Sequence, residues 1–61
     1  MSSDEIIKLL TRAGWRKVYQ KGSHTQFKHL LLPGKVTVPH PKKDLPIGTA
    51  SAILKQAGLS K

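Results

Sequence analysis

Trp15-Arg16-Lys17-Val18-Tyr19-Gln20-Lys21-Gly22-Ser23-His24-Thr25-Gln26-Phe27-Lys28-His29 is the stretch whose reading decides the fold. Residues 15–20 are rich in bulky side chains and predict a strand. Lys21-Gly22 predicts a two-residue hairpin turn, a weaker signal than Asn-Gly. Residues 23–30 predict the returning strand. That turn would place Val18 opposite Thr25 and Tyr19 opposite His24.

Working outward, Ser2 and Glu5 have capping-box spacing. Ile6, Leu9, Leu10 and Ala13 follow at helical intervals, and Gly14 suits a helix end. A first helix is expected over residues 3–13. Pro33-Gly34 marks the next turn, residues 35–39 a third strand centred on Val36 and Val38, and residues 41–45 a loop. Pro46 suits the first turn of a second helix over residues 46–57, with Ile47, Ala50, Ile53, Leu54 and Ala57 on one face and Gly58 closing it. The order α-β-β-β-α predicts an α+β fold: a three-stranded antiparallel sheet with two helices on one face. The whole of residues 1–61 reads as a single domain.

Strand parity sorts the side chains between the two faces. Val18, Phe27, Val36 and Val38 are expected to meet the helices, joined in the core by Leu10, Ile53 and Leu54, with Trp15 partly buried at the edge. The face away from the helices is expected to carry Lys17, Tyr19, His24, Gln26, Lys28, Lys35 and Thr37. A one-residue change of register would scatter that set.

The charge is as one-sided as the parity. The 61 residues hold 11 Lys and Arg against 3 Asp and Glu, a formal net charge of +8. No acidic residue lies between Glu5 and Asp44, an interval that holds all three histidines and most of the lysines. Such a stretch attracts polyanions by steering and counterion release, which points to nucleic acid or an acidic protein as partner. The bland alternative is a generic basic domain. A domain this small buries only about 60% of its unfolded surface, so a partner would add stability. There is no cysteine, which suits a reducing compartment and removes disulfide and thiolate–metal chemistry. No apolar run is long enough to span a membrane, and the acidic start argues against a signal peptide. A cytoplasmic protein is expected.

His24 is the leading candidate for chemistry. Histidine is the one side chain whose unperturbed pKa lies near neutrality, so it can take and give a proton. His24 is expected in the middle of the cationic face, with Ser23 and Tyr19 near enough to orient it or a phosphate. A base there could deprotonate a ribose 2′-hydroxyl, whose attack on the adjacent phosphorus cleaves RNA, while the lysines stabilise charge on the phosphate oxygens. The bland alternative is an exposed polar residue after a turn. His29 shares parity with Phe27 and reads as structural or exposed. His40, in Val38-Pro39-His40-Pro41, reads as a loop-fixing residue. The three histidines lack a metal-ligand pattern, and Asp4, Glu5 and Asp44 are explained by helix starts, so no metal or other cofactor is expected. Lys42-Lys43 could grip phosphates beside a helix N-terminus, or simply be a solvated loop. Ser23 has no nucleophile elbow and no acidic partner for a triad.

Gly14-Trp15, Lys21-Gly22-Ser23-His24 with Phe27, Val36-Thr37-Val38-Pro39, Asp44-Leu45-Pro46-Ile47-Gly48 and the closing Ile53-Leu54-Lys55-Gln56-Ala57-Gly58-Leu59 together resemble the HicA toxins of HicAB toxin–antitoxin modules. The resemblance runs from about Asp4 to Leu59 and rests on the order and spacing of these motifs. It implies a fold like a double-stranded-RNA-binding domain. It further implies a metal-independent endoribonuclease, an mRNA interferase that arrests growth, whose catalytic histidine maps onto His24. Lys17, Tyr19, Lys21, Ser23, Lys28, Lys35, Lys42 and Lys43 are the expected substrate-binding residues. The implied partners are mRNA and a cognate HicB-like antitoxin that blocks the site in a toxin–antitoxin hetero-oligomer.

Two other readings stay open at this point. Lys42-Lys43 before the last helix is also similar to domains that bind RNA by shape without cutting it, so a non-catalytic RNA-binding module is the alternative. An interaction protein whose basic face meets only an acidic partner is the third. Cleavage-site preference and antitoxin stoichiometry are not written in the sequence.

Overall fold

Ser2 starts the first helix. Its hydroxyl accepts the Glu5 amide at 3.2 Å, and the Glu5 carboxylate accepts the Ser2 amide at 3.0 Å, a complete capping box. In the computed structural model, which describes residues 1–59, this opens α1, Ser3–Arg12. The strands β1, Trp15–Lys21, β2, His24–His29, and β3, Val36–Pro39, follow, and α2, Ile47–Gln56, closes the order. The expected α-β-β-β-α succession is therefore observed, with ends that differ by a residue or so.

The sheet is antiparallel with β2 in the middle. Both helices cover one face. Phe27, Val36 and Val38 from the sheet join Ile6, Leu10, Leu45, Ala50, Ile53 and Ala57 in one buried cluster. Backbone bonds from the Ser3 amide to the Lys42 carbonyl (2.9 Å) and from the Leu45 amide to the Met1 carbonyl (2.8 Å) bind the loop after β3 to the start of α1. The loop that leads into α2 thus runs beside the N-terminus of α1.

Trp15 is fully buried rather than lying at the rim of the core. Its indole N–H donates to the Ala57 carbonyl at 3.2 Å, one of the carbonyls a helix end leaves without an intrahelical partner. The polar end of the ring is thereby satisfied and the whole side chain can go inside. Leu54 is only half-buried, and Ile47 is exposed, so the buried line of α2 runs through Ala50, Ile53 and Ala57.

The hairpin departs most from expectation. The turn residues are Gly22 and Ser23, not Lys21 and Gly22: Lys21 pairs with His24, Gln20 with Thr25 and Tyr19 with Gln26. Gly22 takes φ +57°, and glycine first in a two-residue loop matches the twist of the flanking strands. This moves the register by two residues, which leaves every side chain on its expected face. A β-bulge at Val18 then moves it by one more. Lys17 pairs with Phe27, Arg16 with Lys28 and Trp15 with His29. A shift of one exchanges the faces. Val18 is therefore not a core residue but 54% exposed. Lys17 takes the parity of Phe27 and lines a groove on the helix side with Asp4, Ile7, Thr11 and His40. Arg16 takes the place on the open face that Lys17 was expected to fill.

Candidate active site

The open face is built from alternate residues of three strands. Directly opposed pairs share a face, so His24 lies with Lys21 and Pro39, Gln26 with Tyr19 and Thr37, and Lys28 with Arg16. Opposed pairs have Cβ atoms about 5 Å apart, and the diagonal from Tyr19 to His24 is about 7–8 Å. Side chains that start this far apart can converge on one bound anion, so His24, Lys21 and Tyr19 can reach it together. Lys35 closes the far side, where Val18, Tyr19, Gln26, Lys28 and Lys35 line an open hollow. The chain's three acidic residues lie at the start of α1 and before α2, outside these strands.

His24 follows the Gly22-Ser23 turn at the start of the central strand. Its ring is exposed and makes no hydrogen bond to another described residue. The turn beneath it is held by the His40 amide, which donates to the Ser23 carbonyl at 2.7 Å. The backbone is fixed while both imidazole nitrogens remain available.

The other two histidines are engaged. His29 Nε2 lies 2.8 Å from the Ala13 carbonyl, and its Nδ1 accepts the amides of Leu31 (2.9 Å) and Leu32 (3.2 Å). A carbonyl only accepts and an amide only donates, so these partners assign the neutral Nε2–H tautomer. The ring also packs edge-on against Trp15 at 5.3 Å. His40 turns towards α1, with Nδ1 2.8 Å from the Ser3 hydroxyl and 3.8 Å from the Asp4 carboxylate. Serine, histidine and aspartate meet here without forming a triad. Both partners approach the same nitrogen, whereas a relay needs one on each. Ser3 is fully buried and its hydroxyl also accepts the Lys42 amide at 2.9 Å. This cluster ties the loop to α1.

Of the residues expected to bind substrate, Tyr19, Lys21, Lys28 and Lys35 share the open face with His24. Ser23 is in the turn at its end. Lys42 and Lys43 are exposed in the loop beside Ser2, Asp4 and Pro41, four and three residues ahead of Pro46, the N-cap of α2. They flank the helix layer rather than the open face. Lys17, opposite Phe27, has the parity of the helix side and lies on the edge strand, where it lines both the groove beside α1 and the hollow beside Leu30. Arg16 was missed as a face residue because the bulge that turns it outward has no glycine or other marker in β1. No group of three His, Cys, Asp or Glu side chains could hold a metal ion among the described residues. No described helix is long and apolar enough to cross a membrane.

A comparison with curated protein sequences finds no significant match. Among solved structures, one chain of a toxin–antitoxin complex from Streptococcus pneumoniae is similar at 37% identity and a TM-score of 0.82, covering 97% of this chain and 98% of that one. The sequence matches the family described as the HicA toxin of bacterial toxin–antitoxin systems over residues 3–59, nearly its whole length. The chain belongs to the HicA toxin family.

Proposed function

We propose that this toxin is a metal-independent endoribonuclease, an mRNA interferase, in which His24 is the catalytic residue. The observation that carries this is the division of labour among the histidines. His29 and His40 are committed to hydrogen bonds that hold loops, while His24 alone stands free on a cationic face without an acidic residue.

RNA lies across the open face with phosphates near Lys21, Lys28, Arg16 and Lys35. The His24 imidazole takes the proton of a ribose 2′-hydroxyl. The 2′-oxygen attacks the adjacent phosphorus, the bond to the 5′-oxygen breaks, and that oxygen takes a proton from water. The products are a 2′,3′-cyclic phosphate and a free 5′-hydroxyl. Lys21, directly opposite His24, is placed to offset the negative charge that builds on the phosphate oxygens. DNA lacks the nucleophile and is not cut. The partner that neutralises the toxin is an antitoxin that covers His24 and presents acidic residues to the lysines, a pairing that also speeds encounter.

The test is inducible expression of the chain and of His24→Ala, with growth and RNA integrity read together. Growth arrest and RNA loss with the first, and neither with the second at equal protein level, is the expected result. If folded His24→Ala degrades RNA as the parent does, the assignment fails. RNA binding by both without cleavage by either would favour a non-catalytic RNA-binding module.

A further inference from the structure

The loop from β2 to β3 exposes what a basic RNA-binding domain has no use for. Leu30 and Leu31 are each 87% exposed and Leu32 44%, in consecutive positions. The tip is not loose. His29 Nδ1 accepts the amides of Leu31 and Leu32, its Nε2 donates to the Ala13 carbonyl, and the Gln56 side chain donates to the Lys35 carbonyl at 2.8 Å. The leucines are held outward by bonds to the folded body, so little ordering cost remains to be met when they are covered.

Beside this tip, Arg16, Lys17, Val18, Lys28, His29 and Leu30 line a hollow of about 320 Å³. Val18 is there because of the bulge. Arg16 and Lys28 are directly opposed across the strands. Like charges in that position destabilise a sheet, and an anion seated between them removes the cost. The surface thus combines exposed aliphatic side chains on a hydrogen-bonded loop with a group of cations that no carboxylate among its lining residues balances.

We infer that this surface is the anchoring site for an acidic protein, the antitoxin, with Leu30 and Leu31 entering an apolar pocket of that partner and one of its carboxylates lying between Arg16 and Lys28. The inference rests on the toxin–antitoxin reading above and extends it to a place. Aliphatic leucines give nothing to a phosphate backbone, so RNA accounts for Arg16 and Lys28 but not for the leucine tip. A net charge of +8 and a cationic rim repel a second copy of the chain. An acidic protein satisfies both halves of the surface. The tip lies at the end of β2 opposite to His24, about 17 Å along the strand. Anchoring and occlusion of His24 are therefore separable: the antitoxin grips one end of the face and covers the other.

The experiment uses the full chain and its own antitoxin, defined as the protein whose co-expression relieves growth arrest by this toxin. Wild type, Leu30→Asp/Leu31→Asp and Leu30→Met/Leu31→Met are compared in titrations with purified antitoxin, in RNA cleavage and RNA binding without antitoxin, and in sedimentation alone. The aspartate variant is expected to bind antitoxin at least about 10-fold more weakly, as burial of charge at an apolar anchor requires, and the methionine variant to bind within a few-fold of wild type. Both should cut at the wild-type rate at saturating RNA when free; the aspartates stand beside Arg16 and Lys28, so RNA affinity falls modestly in that variant alone. Unchanged antitoxin affinity in the aspartate variant overturns the inference. So does a selective loss of RNA affinity, or a wild-type dimer that the aspartate change dissociates while antitoxin binding stays the same. If no form of the chain cuts RNA but antitoxin affinity still drops, the nuclease reading fails and the anchoring surface stands.

Discussion

A Cβ on Gly14 would lie 2.6 Å from Nε2 of His29, the nitrogen that donates to the Ala13 carbonyl. The residue that follows the cap of α1 and the residue that ends β2 are therefore fitted to each other. Gly14 also takes φ +97°, a conformation costly for any residue with a Cβ. Gly14→Ala is expected to lower stability by about 1–3 kcal/mol. His29→Ala alone also destabilises, because it frees the residue 31 and 32 amides and the Ala13 carbonyl. In that background Gly14→Ala should cost less, since the steric part is gone and only the backbone part remains. Urea unfolding of the four proteins in a double-mutant cycle measures the difference, and strict additivity would show that the contact carries no energy.

His24→Ala is expected to slow RNA cleavage by roughly 10²-fold or more, the range for general acid–base catalysis. Its fold and RNA affinity should be little changed, because the ring is exposed and phosphate contacts are shared among several cations. His40→Ala should do the reverse: lower the melting temperature by loosening the Ser3 contact while folded molecules keep cleaving. Cleavage rates per folded molecule, with circular dichroism as the control, separate the two.

The bulge at Val18 makes two lysines of β1 and β2 unequal. Lys28→Ala should weaken RNA binding and reduce the slope of log affinity against log salt by about 0.7 for each single-strand phosphate that it no longer neutralises. Lys17→Ala should change that slope much less, since Lys17 pairs with Phe27 on the helix side. Equal effects from both would place the RNA around the edge of the sheet rather than across its open face.

Thr25 is buried against the helices, and its hydroxyl has no hydrogen-bond partner among the described residues. Thr25→Val keeps the shape and removes the unpaired group, so a gain of about 1 kcal/mol is expected. A melting temperature that falls on this substitution would show that the hydroxyl is bonded in solution.

Glu5 supplies an acid-sensitive contact. The Ser2 amide, and then the Ser2 hydroxyl, hold its carboxyl below the ordinary glutamate value. The unfolded chain therefore binds more protons than the folded one in that range, and the stability from this contact is present at neutral pH and lost as pH falls through the lowered value. Glu5→Gln should flatten the decline of melting temperature with acid on the low-pH side and leave the shape of the curve above the glutamate range unchanged.

The order of elements, the capping box at Ser2 and Glu5, the glycine ends at Gly14 and Gly58, and the inward parity of Phe27, Val36 and Val38 were all legible in the chain itself. Each is a local signal: a cap needs residues three apart, and a strand face needs only alternation. His24 was also legible as the candidate for chemistry, because its neighbours in sequence are cationic and the turn that presents it is local. What the tertiary structure alone decided is which residues share the face with it. The bulge at Val18 has no local marker. It places Arg16 outward and Lys17 inward by a one-residue change that depends on how β1 meets β2 and on Trp15 reaching the carbonyl of Ala57, 42 positions away. The roles of His29 and His40 were decided the same way. Their partners, Ala13 and Ser3, are distant in sequence, and hydrogen bonds at such separations are set by packing rather than by spacing along the chain.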